Sequence, residues 1–95
     1  MEVKHVEGAN KGKVFVYALS TCGWCKKVKA FLNEEGIGYD YVDVDLIESQ
    51  MEMEKVVKEE VAKWNPKCSF PTVVINDSVC VVGFDPEKIK AALGI

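Results

Sequence analysis

The sequence contains no apolar run approaching the roughly 18–20 residues that a membrane-spanning helix needs. Its first residues, Met1-Glu2-Val3-Lys4-His5, lack the hydrophobic stretch of a secretory leader. Nor is there a basic excess. Twelve Lys and Arg stand against 15 Asp and Glu, for a net charge of −3, whereas nucleic-acid binders usually carry a positive surplus. Repeats, low-complexity tracts and interdomain linkers are also missing from the 95 residues, a length that makes one domain. These absences lead us to expect a single cytoplasmic domain, monomeric, with neither nucleic acid nor membrane as a partner. The cytoplasm keeps thiols reduced. The four cysteines therefore read as redox or metal chemistry rather than as a disulfide framework.

What is present is an alternation of strand and helix patterns around an ordinary apolar content of 48%. Residues 3–6 have the pattern of a short edge strand, and residues 7–12 are turn-forming. Residues 13–19 form a short apolar run rich in β-branched and aromatic side chains, the mark of a buried strand. A helix is predicted from about Gly23, with Ser20 or Thr21 as its N-cap, Val28, Phe31 and Leu32 on its apolar face, and Gly36 as its C-cap. Residues 39–45 alternate polar and apolar, so the unit should be βαβ with parallel strands and a right-handed crossover. A polar helix over about 48–64 follows, with Met53, Val57, Val61 and Trp64 at helical spacing, ended by Asn65-Pro66. Residues 72–75 and 79–82 flank Asn76-Asp77-Ser78 as an antiparallel hairpin. Asp85-Pro86-Glu87 opens a last helix that runs to about Leu93. The order β-α-β-α-β-β-α implies an α/β sandwich with four central strands.

Cys22-Gly23-Trp24-Cys25 falls where the buried strand meets the helix N-terminus. Unpaired backbone N–H groups and the helix dipole favour negative charge there, and Lys26 and Lys27 add positive potential. Cys22 is thus the expected nucleophile. Cys25, one turn further into the helix, is less accessible and suited to resolving a mixed disulfide. The same spacing could supply half of a structural zinc site. That reading needs two further ligands, and Cys68, Cys80 and the remote His5 do not supply a recognisable spacing. Cys80 reads as a buried thiol in an apolar strand, and Cys68 either as a loop cysteine or as a thiol near the pair.

The strand leading into Cys22-Gly23-Trp24-Cys25, the segment Ser69-Phe70-Pro71-Thr72, and Gly83-Phe84-Asp85 before the last helix occur in an order that resembles the glutaredoxins of the thioredoxin superfamily. The resemblance covers about residues 13–93. It implies a thioredoxin-like, glutaredoxin-type fold with a mixed four-stranded sheet, in which 1–12 are an N-terminal extension and 13–95 the domain proper. It further implies a cis Pro71 beside the cysteines and a substrate surface made of Thr21, Gly23, Trp24, Phe70, Pro71, Gly83, Phe84 and Asp85. No bound cofactor or metal is implied, only a redox-active disulfide between Cys22 and Cys25.

Departures from the family pattern carry information. Typical glutaredoxins have Pro-Tyr between the cysteines, where this chain has Gly23-Trp24. They have a lysine for a glutathione carboxylate at the position of Leu19, and Gly-Gly where Gly83-Phe84 stand. Gly-Phe-x-Pro is closer to the ribonucleotide-reductase-linked redoxins. Weak glutathione dependence is expected, with a disulfide-containing protein such as ribonucleotide reductase as substrate. The reductant would be a thioredoxin-type or ferredoxin-dependent reductase. The alternative is an iron–sulfur-binding glutaredoxin-like protein. The second helix is also longer than usual in the family, as cover for the sheet or as a docking surface.

Overall fold

The computed structural model describes residues 2–95; Met1, the first residue of the expected extension, lies outside them. The strands are β1 (Lys4–Val6), β2 (Val14–Ala18), β3 (Tyr39–Asp43), β4 (Thr72–Ile75) and β5 (Val79–Val82). The helices are α1 (Gly23–Glu34), α2 (Gln50–Val56), α3 (Ala62–Trp64) and α4 (Pro86–Leu93). The strands form one mixed sheet in the order β1-β3-β2-β4-β5. β2 and β3 run parallel, with α1 between them in sequence, and every other pairing is antiparallel.

The sheet has five strands, not the expected four. β1 adds to the free edge of β3 in the register Lys4↔Tyr41, His5↔Asp40, Val6↔Tyr39. Its exposed backbone is thereby satisfied, and the flanking turn is tied down as well. The Ala9 N–H donates to the Gly36 carbonyl at 2.7 Å, and the Gly38 N–H to the Ala9 carbonyl at 3.0 Å. Gly8 passes so close to this strand that a Cβ on it would lie 2.4 Å from the Gly38 nitrogen.

Each face of the sheet carries its own apolar layer. On one side Val14, Val16, Ala18, Tyr39, Val73 and Ile75 pack under α1 and α4, which contribute Val28, Leu32 and Ile89. On the other, Tyr17, Val42 and Val74 pack against Val56 and Val61. Strands buried on both faces cannot alternate, which explains the apolar run of β2 and the Val73-Val74-Ile75 run of β4.

Two elements differ from the sequence expectation. The strand predicted to reach residue 45 stops at Asp43, and Val44–Leu46 form a 3₁₀ turn. The long second helix is not uniform, because a π-helical turn over Val57–Val61 joins α2 to α3. In a regular α-helix, residues five apart point in widely different directions; a turn bonded i to i+5 brings them into line. Val56 and Val61 are accordingly the buried pair, while Met53, Val57 and Trp64 are half-buried. Glu60, in the same wide turn, accepts a hydrogen bond from the Tyr17 hydroxyl at 2.9 Å. Burial, reinforced by that carboxylate, pushes the Tyr17 phenol well above its ordinary value.

Candidate active site

Leaving β2, the chain turns sharply, and the Cys22 N–H donates to the Leu19 carbonyl at 3.2 Å. Ser20 and Thr21 occupy the middle of this turn, so neither caps α1. The N-cap is Cys22 itself: it has extended backbone angles, and its Sγ accepts the Cys25 N–H at 3.2 Å. The sulfur expected to attack is therefore also the cap, held where unpaired backbone N–H groups converge. Ser20 has a different task. Its N–H and its hydroxyl both donate to the Asp45 carboxylate, at 2.8 and 2.5 Å. The two bonds pull the Asp45 carboxyl below its ordinary value and fasten the cysteine turn to the 3₁₀ turn after β3.

Cys22 is half-buried, and Cys25 has no exposed surface. Burial, and then the adjacent Cys22 thiol, push the Cys25 thiol up to about 12. The two sulfurs thus differ in access in the sense that their places in α1 predict. Nearby, Lys29 pairs with Asp43 at 3.0 Å and lies 4.1 Å above the Tyr41 ring. It braces α1 against β3.

The Phe70–Pro71 bond is cis. The Phe70 carbonyl lies 4.0 Å from Cys22 Sγ, and Pro71 is fully buried beside it. The Pro71 carbonyl accepts the Gly83 N–H at 2.9 Å. Gly83 has φ +78°, in the left-handed region where a side chain is disfavoured. The turn it makes presents Phe84, and Asp85 then caps α4 by accepting the Lys88 N–H at 3.2 Å.

Trp24 is 58% exposed and stacks on Phe84 with ring centroids 6.5 Å apart. Phe84 in turn meets Phe31 edge-on at 6.4 Å. Lys27 Nζ sits 4.3 Å over the Trp24 ring. Gly23 and Thr21 are exposed at the mouth of the helix. The predicted residues are thus gathered around one end of the sheet.

The loop from Asn65 to Thr72 is held by groups that sequence reasoning missed. Asn65, 5% exposed, donates through Nδ2 to the Ser69 carbonyl at 3.1 Å, Ser69 Oγ at 2.9 Å and Thr72 Oγ1 at 3.2 Å. Its Oδ1 accepts the Lys67 N–H at 3.3 Å. The only available signal was that Asn65 precedes a proline at a helix end, a setting that many solvated asparagines share. Cys68 turns away from the cysteine pair. Its Sγ lies 3.9 Å from the Val57 carbonyl and 3.8 Å from that of Pro66. Cys80 is half-buried, and burial raises its thiol above the ordinary value. Among the described residues no group of three or more His, Cys, Asp or Glu is placed to hold a metal ion. No helix among them is long and apolar enough to cross a membrane.

The glutaredoxin family model matches residues 14–80. A glutaredoxin-like 8.6 kDa protein in the rubredoxin operon of Clostridium pasteurianum is 31% identical over 74 residues, covering 78% of this chain and 88% of that protein. The crystal structure of a glutaredoxin from Methanosarcina mazei superposes with a TM-score of 0.87 at 47% identity, over 98% of this chain and 88% of the other. Methanoredoxin from Methanosarcina acetivorans gives 0.84 at 44%, over 93% and 90%. The iron–sulfur alternative is not favoured: a second thiol, Cys25, is retained one helical turn from Cys22. A Cys-x-x-Cys pair capping α1 beside a cis proline, on a sheet shared with these relatives, makes this chain a thiol–disulfide oxidoreductase that belongs to the glutaredoxin family.

Proposed function

We propose that the protein reduces disulfides in polypeptide substrates by dithiol exchange. Cys22 attacks one sulfur of the substrate disulfide, a Cys22–substrate bond forms, and the other substrate sulfur leaves as a thiolate that takes up a proton. Cys25 loses its proton and attacks Cys22, expelling the second substrate thiol. Two electrons pass to the substrate, and Cys22 and Cys25 are left as a disulfide. The cycle needs no bound cofactor.

The observation that carries this reading is the placement of the two sulfurs. Cys22 is partly accessible and capped by the Cys25 N–H, and Cys25 is wholly covered behind it. Further support comes from Phe70, whose N–H meets no acceptor among the described residues and whose carbonyl meets only the Cys22 thiol. An extended substrate strand can pair with that free backbone. Thr21, Gly23, Trp24, Pro71, Gly83, Phe84 and Asp85 then frame it. Trp24 offers an exposed aromatic contact of the kind that anchors protein partners. With Leu19 in place of a cationic side chain, glutathione is a poor reductant, and a thioredoxin-type or ferredoxin-dependent reductase restores the dithiol. The clostridial relative's place in a rubredoxin operon fits a protein that sits in an electron-transfer chain. Ribonucleotide reductase is one candidate substrate.

The test is insulin reduction with dithiothreitol as the electron source. Cys22→Ser abolishes turnover, whereas Cys25→Ser loses it while accumulating mixed disulfides. Full activity in Cys22→Ser would sink the mechanism. Robust, saturable turnover with glutathione as sole reductant would overturn the proposed electron source.

A further inference from the structure

Phe70 does more than present its backbone to Cys22. Its side chain packs against both apolar layers of the sheet. On the α2 side it forms one wall of an open groove of about 280 Å³, completed by Leu19, Val44, Met53 and Val57. The surface inside this groove is apolar, although three charged residues border it. One of these, Asp45, has its carboxylate engaged by Ser20. The others, Glu54 and Lys58, are exposed and of opposite sign; with the Asp45 carboxylate, the rim holds two anions to one cation and disfavours an anionic ligand.

We propose that this groove is a side-chain subsite that takes one large aliphatic or aromatic residue of an extended polypeptide, one or two positions from the cysteine under attack. The proposal rests on the protein-disulfide reading above and deepens it by naming the sequence class of the substrate. Continuity with the reaction centre fixes the occupant. The backbone that would pair with the substrate and the wall of the groove belong to the same residue, Phe70. An extended chain advances about 3.3 Å per residue, so the neighbours of the substrate cysteine pass along this wall. An apolar side chain displaces water from the groove. A serine or a carboxylate would lose its hydration and meet no hydrogen-bonding partner on the walls.

Disulfide-linked octapeptide dimers that differ only in one Leu or Ser, placed one or two residues before or after the cysteine, test this with dithiothreitol as reductant. In at least one register the leucine peptide should exceed the serine peptide about tenfold in kcat/KM, the discrimination typical of one well-filled apolar pocket. Met53→Lys places a cation in the groove and should bring that ratio to within about twofold of one. Met51→Lys makes the same change on the same helix at a residue that is 81% exposed and outside the groove, and should keep the ratio. No register with more than a twofold preference, or a ratio lost equally in both variants, overturns the subsite. Bis(2-hydroxyethyl) disulfide is measured in parallel. If it and both peptides go unreduced, disulfide reduction itself fails and the subsite falls with it; if it is reduced without any preference among peptides, only the subsite falls.

Discussion

Replacing Asn65 by alanine removes a buried amide that has no role in the chemistry and yet sets where the Phe70 loop lies. Its Nδ2 has two hydrogens for three acceptors, and its Oδ1 accepts one further bond. Three net hydrogen bonds are therefore at stake, at roughly 0.5–1.5 kcal/mol each. Some of the stranded groups recover. The Ser69 carbonyl keeps the Thr72 hydroxyl at 2.8 Å, and Ser69 Oγ and the Lys67 N–H belong to exposed residues that water can reach. Only the Thr72 oxygen, in a residue with no exposed surface, loses a donor without replacement. We expect a loss of about 2–3 kcal/mol, toward the lower half of the sum. At roughly 4–8 °C per kcal/mol for a domain of this size, Tm should fall by about 8–24 °C. Urea unfolding followed by circular dichroism measures the change, and an unaltered m-value would place it in the folded state. Asn65→Asp keeps the Oδ1 acceptor but sets a carboxylate oxygen against the three oxygens that Nδ2 served, so it should be at least as damaging at neutral pH. A loss below about 0.5 kcal/mol in Asn65→Ala would refute the reasoning, and would mean that Pro71 and the packing around Cys68 hold the loop unaided.

Three further outcomes are expected. In the reduced native protein, iodoacetamide at pH 8 should alkylate Cys22 and leave Cys25 untouched. With its thiol near 12, Cys25 is thiolate in only about one molecule in 10⁴ and is shielded by burial as well; peptide mapping that finds Cys25 labelled as fast as Cys22 would contradict the site. Gly8→Ala should cost about 1–3 kcal/mol, because the new methyl would lie 2.4 Å from the Gly38 nitrogen and 2.6 Å from the Ile37 carbonyl carbon; an unchanged melting curve would show that the extension docks without this contact. The third concerns His5, which the Asp40 hydrogen bond at 2.7 Å raises above its ordinary 6.5. A raised folded value means that His5 stabilises the docked β1 fully below about pH 6.5, and that this contribution is lost as pH rises through the folded value. Amide exchange in β1 should quicken over that window after correction for intrinsic rates, and His5→Gln should flatten the response; a flat wild-type profile would remove His5 from the account.

Most of the element order follows from local rules, and so does the chemistry of the cysteine pair. Asp85-Pro86-Glu87 caps α4 because an N-cap acceptor, a proline at N1 and an acidic first turn act within a few residues of one another. Asn76 and Asp77 form the hairpin turn with φ of +54° and +50°, the left-handed region that short polar side chains tolerate. Two thiols spaced by one helical turn at a strand–helix junction specify a buried and an accessible sulfur without reference to anything distant.

Tertiary structure decided the features that depend on partners far away in the chain. Ser20 and Thr21 both have N-cap chemistry, but the 3₁₀ turn brought Asp45 within reach of Ser20, and the cap passed to Cys22. β1 is too short to be stable alone; it became a fifth strand because Tyr39–Asp43 offered an unpaired edge. The π turn over Val57–Val61 put Val56 in the place that regular spacing gave to Val57, a phase that only the packing surface of the sheet could set. The groove beside Phe70 is likewise assembled from the turn after β2, the 3₁₀ turn, α2 with the π turn that follows it, and the loop before β4. Hydrophobic pattern and caps act over a few residues and are written into the sequence. Edge pairing, long-range hydrogen bonds and the shape of a surface arise only when distant segments meet.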